Sequence, residues 1–265
     1  LATDTDRLDL TNSSITDNDK RQFTSDISFV GSLYSEKNPL KEISLSDFSK
    51  GFIDGLIASQ LGVFGCNFIE DALPLNVIEN ILGNDFAYNS ETMLEPLNRY
   101  IAAHSYIGME LAERERISTL NYLAKYFNVD LYTQSDTSPL INVNNKGPAN
   151  SLTQMPKIFR LSKINLNITM RPIQTGLSLR VFDVLGSGGF LITNYQAEIP
   201  SLYDIGTDLE TYSSLEELKD KCSYYLTHDE ERERIALNGY KKTKELHNIH
   251  NRIKTMFEYL LGDRK

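Results

Sequence analysis

Arg180 and Asp183 stand three positions apart in "TGLSLRVFDVLGSGG", where Leu177, Val181, Val184 and Leu185 complete the spacing of an amphipathic helix. A cation and an acid sharing one face admit two chemistries. One is an exposed ion pair, worth about 0.2–0.5 kcal/mol. The other is a ligand site, with the arginine on phosphates and the acid on a ribose hydroxyl. The order of the pair bears on the choice, because a cation near the helix start and an acid later is the reverse of what the helix dipole favours. Gly176, just ahead, lets backbone approach a ligand with no Cβ in the way. A helix beginning near Ser178 would aim free N–H groups at a phosphate or diphosphate.

The other chemistry-bearing residues offer less. "GSGG" (Gly186 to Gly189) follows a helix and matches neither GxGxxG nor GxxxxGK[ST], so it is expected to stop the helix and allow tight packing. Asp4-Thr5-Asp6 is a DxD in a polar terminal segment, and no metal role is assigned to it. His247 and His250 lack a third ligand and are expected to be solvated helix residues, while His104 is expected to be packed or on the surface. Asn165 and Asn167, on one face of an expected central strand, are expected to satisfy backbone polar groups, with cleft lining as the alternative. Cys66 and Cys222 show no CxxC and sit in helix-like apolar contexts, which predicts reduced, buried thiols in a cytoplasmic protein. No Ser-His-Asp or Cys-His set and no carboxylate pair of known separation appears, so no catalytic residue is assigned.

These residues must be positioned by an α/β framework. With 40% apolar and 24% charged residues the chain has an ordinary globular composition, and its net charge of −9 argues against a nucleic-acid partner. No apolar run approaches the length of a membrane span. Residues 1–25 are polar and aperiodic and are expected to be a linker or the end of a preceding element. "DISFVGSL" predicts a buried parallel strand, and residues 36–127 are mostly helical by pattern, an insertion in an otherwise alternating order. Strands at "VDLYTQS", "INLNIT", "FLITN" and "DLETY" alternate with helices and predict a Rossmann-like parallel sheet; a polar loop spans 136–150, and a helical tail closes the chain. Ligands of such sheets bind beyond the carboxyl ends of the strands. Gly31-Ser32, Thr133 to Ser135, Met170 to Leu177, and Thr193 to Gln196 are therefore expected to converge.

At this point the sequence resembles a known family. "SKINLNITMRPIQTGLSLRVFDVLGSGGFLITNYQAEIPSLYDIG", "SLEELKDKCSYYLTHDEERERIALNGY" and "DISFVGSLYSEKN" are similar to the CgeB-like (spore-maturation-type) bacterial glycosyltransferases of GT-B fold, from about Asp26 to the C-terminus. The resemblance implies the C-terminal, donor-binding domain of such an enzyme, spanning 26–265, with the nucleoside-diphosphate sugar as substrate, UDP the first guess, and no metal or other cofactor. It implies donor contacts from Gly31, Ser32, Arg171, Gln174, Thr175, Gly176, Leu177, Arg180, Asp183 and Asn194. Asp183 falls where related enzymes carry an acid on the donor ribose; where many retaining relatives have a glutamate eight positions earlier, this chain has Thr175. Residues 1–25, "LATDTDRL" above all, resemble the linker leaving an N-terminal domain. That domain would supply the acceptor site and the general base, so residues 1–265 alone are expected to transfer poorly. The acceptor is open. The competing readings are a non-catalytic assembly module on the same fold and a nucleotide-sugar epimerase or hydrolase.

Overall fold

The computed structural model describes residues 1–83 and 95–262. Its centre is a six-stranded parallel sheet of β1 (Ser25–Val30), β2 (Val129–Tyr132), β3 (Asn144–Asn145), β4 (Ser162–Asn167), β5 (Leu191–Asn194) and β6 (Glu210–Tyr212). The spatial order is β3-β2-β1-β4-β5-β6. Ile27 of β1 sits between Val129 and Ile164, so the apolar residues that announced these strands meet in register. The strand order reverses between β1 and β4, which makes the crevice at their carboxyl ends the natural ligand position. The fold is the Rossmann-like α/β arrangement that the alternating pattern predicts.

Helices cover both faces. On one, α7 (Gly108–Leu123) and α11 (Leu215–Thr227) bury Leu120, Leu123, Leu218 and Cys222 against Phe29, Leu131 and Ile164. On the other, α8 (Met155–Leu161) and α9 (Leu179–Gly186) bury Phe159, Val181 and Leu185 with Val30 and Leu191. At the end of α9 the expected stop is present. Gly188 has φ 73°, its N–H bonds to the Leu185 carbonyl, and the Gly189 N–H bonds to that of Val184. A Cβ on Gly189 would lie 2.5 Å from the Phe159 carbonyl oxygen, so helix and strand close to a distance that only glycine permits. Asn165 and Asn167 hold neighbouring chain together: the Asn165 amide donates to the Phe159 and Phe190 carbonyls, and the Asn167 amide to the Thr169 and Thr193 hydroxyls.

Between β1 and α7 lies the helical insertion, with α3 (Asp47–Leu61), α4 (Ile69–Ala72), α5 (Leu75–Leu82), α6 (Glu95–Tyr100) and a π-helical turn, Ile101–Ile107, that runs directly into α7. It has a core of its own, from Leu40 through Ile57 and Ile78 to Leu111. The expected block of 36–127 therefore contains two things, because the second half of α7 is the ordinary crossover from β1 to β2. Its part at 84–94 lies outside the described residues.

Several expectations need correction. Residues 1–25 are not without regular structure: α1 (Thr5–Ser13) and α2 (Asp17–Phe23) occupy them. Asp4 of the DxD caps α1 by accepting from the Arg7 N–H, and Thr16 with Asp19 forms a capping box for α2. Only Leu8 and Phe23 carry their apolar anchoring, too few residues to make a period. The loop at 136–150 contains the short edge strand β3. The helical tail breaks into α12 (Asp229–Leu246) and α13 (Ile249–Leu261), where His247 and Asn248 pair with Thr3. His247 is buried against Phe182 and Tyr203, not solvated. Cys66 is exposed, because it sits in the loop after α3; Cys222 is buried as expected.

Candidate functional site

Loops after β1, β2, β4 and β5 meet at the carboxyl edge of the sheet. The Ser135 hydroxyl accepts from the Leu33 N–H at 2.8 Å and lies 3.5 Å from the Ser32 hydroxyl, which joins the loops after β1 and β2. The Asn194 side chain accepts from the Thr169 N–H at 2.9 Å and donates to the Thr169 carbonyl at 2.8 Å, which joins those after β4 and β5. Gln196 donates to the Ile173 carbonyl, and its amide oxygen is buried without a partner among the described residues.

The loop that leads to α9 has the backbone a ligand site needs. Gly176 has φ 78° and nothing within 4 Å of where a Cβ would point, and Thr175 beside it is exposed. Leu177 turns inward and anchors the loop in the core. Ser178 precedes α9 without a side-chain cap, so the first N–H groups of that helix have no capping side chain. The Gly176 N–H is taken by the Glu198 carboxylate.

Arg180 and Asp183 do not pair. The Arg180 guanidinium lies 5.1 Å from the Phe159 ring centre and 3.9 Å from the Met155 sulfur, while Asp183 accepts from the Thr3 hydroxyl at 2.7 Å. Burial lowers the pKa of Arg180, and Asp183 pulls it back up. Each has been drawn to a different element, so the two make no direct contact, and Asp183 favours the charged guanidinium only from a distance.

Arg171 has a protein partner for every face. Its Nε and Nη2 donate to the Glu115 carboxylate at 2.8–3.1 Å, Nη1 donates to the Val63 carbonyl at 2.8 Å, and the Phe64 ring stacks 3.8 Å away. Gln174 ties the same loop to the insertion, accepting from the Asn67 N–H. Gly65 of the insertion, at φ 79°, faces the Tyr195 ring. The insertion thus lies over the ends of β4 and β5, and the cleft between Gly65–Cys66 and the loops after those two strands has room for about 20 Å³, the size of one water.

Sequence reasoning missed Glu115 and Arg116. In "ELAERERIS" alternating charges on a long helix look like a solvated face. Both side chains are buried because α7 passes the edge of the sheet at this point. Arg116 Nη1 donates to the Ser32 carbonyl at 2.5 Å and Nη2 to the Ile168 carbonyl at 2.7 Å, bridging the crevice between β1 and β4. Burial raises the pKa of Glu115, with Arg171 opposing, and lowers that of Arg116. Among the described residues no group of acids, histidines and cysteines could hold a metal.

A larger cavity of about 840 Å³ lies at the opposite, amino-terminal edge, between α1, α8 and α12. Of the cations that line it, Lys20, Lys163 and Arg232 pair with Asp17, Asp26 and Asp229, while Arg160 donates to the Gly188 carbonyl.

Residues 109–258, more than half of the chain, match the family model described as glycosyl transferase-like. The chain belongs to that family. A search of the curated proteins finds no match. Among solved structures it is similar to TarM, with a TM-score of 0.43 at 11% identity over 54% of this chain and 31% of that one. It is also similar to the pneumococcal O-GlcNAc transferase GtfA, crystallised with UDP and GlcNAc, at 0.37 and 16% over 56% and 33%. The chain spans about a third of the length of these proteins. No described helix is long and apolar enough to cross a membrane.

Proposed function

We propose that this chain is the donor-binding domain of a CgeB-like glycosyltransferase of the GT-B type, taking a nucleoside-diphosphate sugar with no metal or other cofactor. The observation that carries the reading is the loop of Gly176 running into the uncapped start of α9, at the strand-order switch of a family member. There the helix start and nearby guanidinium groups would stabilise the departing diphosphate. UDP is the first nucleotide to test. The acceptor site and general base would come from an N-terminal domain of the same polypeptide. The exposed apolar side chains of α13, Ile253, Phe257 and Leu260 among them, are the surface such a domain would cover. Two unpaired cysteines suit a cytoplasmic setting.

One feature favours the second reading, a module on this fold that binds no nucleotide: the Glu198 carboxylate already holds the Gly176 N–H. Thermal unfolding with UDP, GDP, CDP, ADP and dTDP separates the two. A nucleotide at 100 times its dissociation constant stabilises by about 2.7 kcal/mol, a clear shift in midpoint. We expect one nucleotide to shift the wild type and to shift Arg180→Ala less. If none shifts the wild type, the donor-domain reading fails. If Arg180→Ala responds equally, Arg180 leaves the site and the function stands.

A further inference from the structure

The crevice between β1 and β4 holds a buried positive charge without an acid of its own. Glu115 lies next to Arg116 in sequence, but its carboxylate is bonded three times by Arg171. Among the described residues Arg116 has no ion-pair partner, and its Nη groups go to the neutral carbonyls of Ser32 and Ile168. Its Nε is buried and unpartnered, although the side chain is only 8% exposed. Two arginines share one carboxylate; Glu115 and the Tyr34 hydroxyl only partly offset the charge on Arg116, whose burial still lowers its pKa. Nearby, the Tyr212 hydroxyl is also buried without a partner.

The cover over this charge is built to an unusual geometry. The Tyr34 ring lies 4.3 Å from the guanidinium carbon, and Tyr34 itself has φ 70°, the left-handed region that a bulky residue adopts only under strain. Phe29 lies on another side, 5.3 Å away. Gly31 places no side chain beside the group: a Cβ there would stand 3.8 Å from Nη1. The tyrosine is half-buried and belongs to the surface loop after β1, whereas Phe29 belongs to the sheet.

We propose that Arg116 is the cation that receives the diphosphate of the bound nucleotide, and that Tyr34 is a cover that swings off it when the anion arrives. This rests on the donor-domain reading and adds to it the group that meets the phosphates. The position fits, since the bridged carbonyls of Ser32 and Ile168 belong to the two loops that flank the strand-order switch. The anion would complete the charge balance that Glu115 leaves open, at Nη donors that now serve neutral carbonyls.

The test is calorimetric titration of the intact chain with UDP, or with whichever nucleotide stabilises it, at several salt concentrations. Arg116→Gln should weaken binding at least tenfold and flatten its salt dependence. Arg116→Lys, which keeps the charge, should fall between Gln and wild type with the salt dependence retained. Loss of affinity to the same extent in both variants, with the salt dependence unchanged, would assign Arg116 a purely structural role and overturn the proposal. Should Arg116→Gln fail to fold, Tyr34→Ala decides: uncovering the guanidinium should tighten binding of inorganic diphosphate threefold or more, and unchanged or weaker binding overturns the proposal. Equal nucleotide affinity in wild type and Arg116→Gln sinks this inference alone. No nucleotide binding by the wild type sinks the donor reading and this inference together.

Discussion

His247 joins three parts of the molecule in one ring. It packs between Phe182 and Tyr203, its Nε2 lies 3.4 Å from the Leu202 carbonyl, and Arg252 approaches Nδ1. Burial lowers its pKa; the Leu202 carbonyl opposes this, while Arg252, Lys242 and the terminal amine add to the lowering. The unfolded chain therefore takes up the proton first as the pH falls. The stabilisation from keeping the ring neutral is complete above about 6.5 and is lost as the pH drops from there through the folded value. His247→Phe keeps an aromatic ring and removes the titration. Denaturant unfolding at pH 7 and pH 5 should show the wild type losing more stability than His247→Phe; equal losses would remove His247 as the acid-sensitive group.

Among the elements, α7 does most to shape the site, because it carries Glu115 into contact with the loop after β4. Both partners of the Glu115–Arg171 pair are about 5% exposed. Glu115→Ala would strand Arg171 as a second unpaired buried cation, and losses on removing one partner of such a pair are about 3–5 kcal/mol. Urea unfolding of Glu115→Ala should show a loss in that range; a loss under about 1 kcal/mol would mean that the pair reorganises freely. None of this was legible in the sequence. The strands were, because a parallel sheet buried on both faces needs continuous apolar runs such as "ISFV" and "FLIT", and the glycines after α9 mark a stop by their chemistry. Glu115 and Arg116 are invisible for the converse reason. Their burial depends on where a helix crosses the sheet edge, which no local period records. Arg180 and Asp183 were found by spacing, yet their partners, Phe159 and Thr3, come from segments far away in sequence.

At the scale of the whole molecule, three apolar cores among the described residues divide the chain unequally. The two that flank the sheet collect residues from both ends, so that β1 pairs with β4 across the entire insertion. The insertion core draws on one continuous stretch from Leu40 to Leu111. This division has a kinetic consequence. Local contacts close at small entropic loss, whereas β1 must wait for a strand made far later in synthesis. The insertion is therefore expected to gain structure first and to hold α7 ready as the surface on which the sheet assembles. In pulse-labelled hydrogen exchange during refolding, amides of α3, α5 and the start of α7 should be protected before those of β4 and β5; simultaneous protection would contradict that order. The segment that lies over the mature site would then be the oldest part of the folded protein, and the sheet would grow beneath a roof already standing.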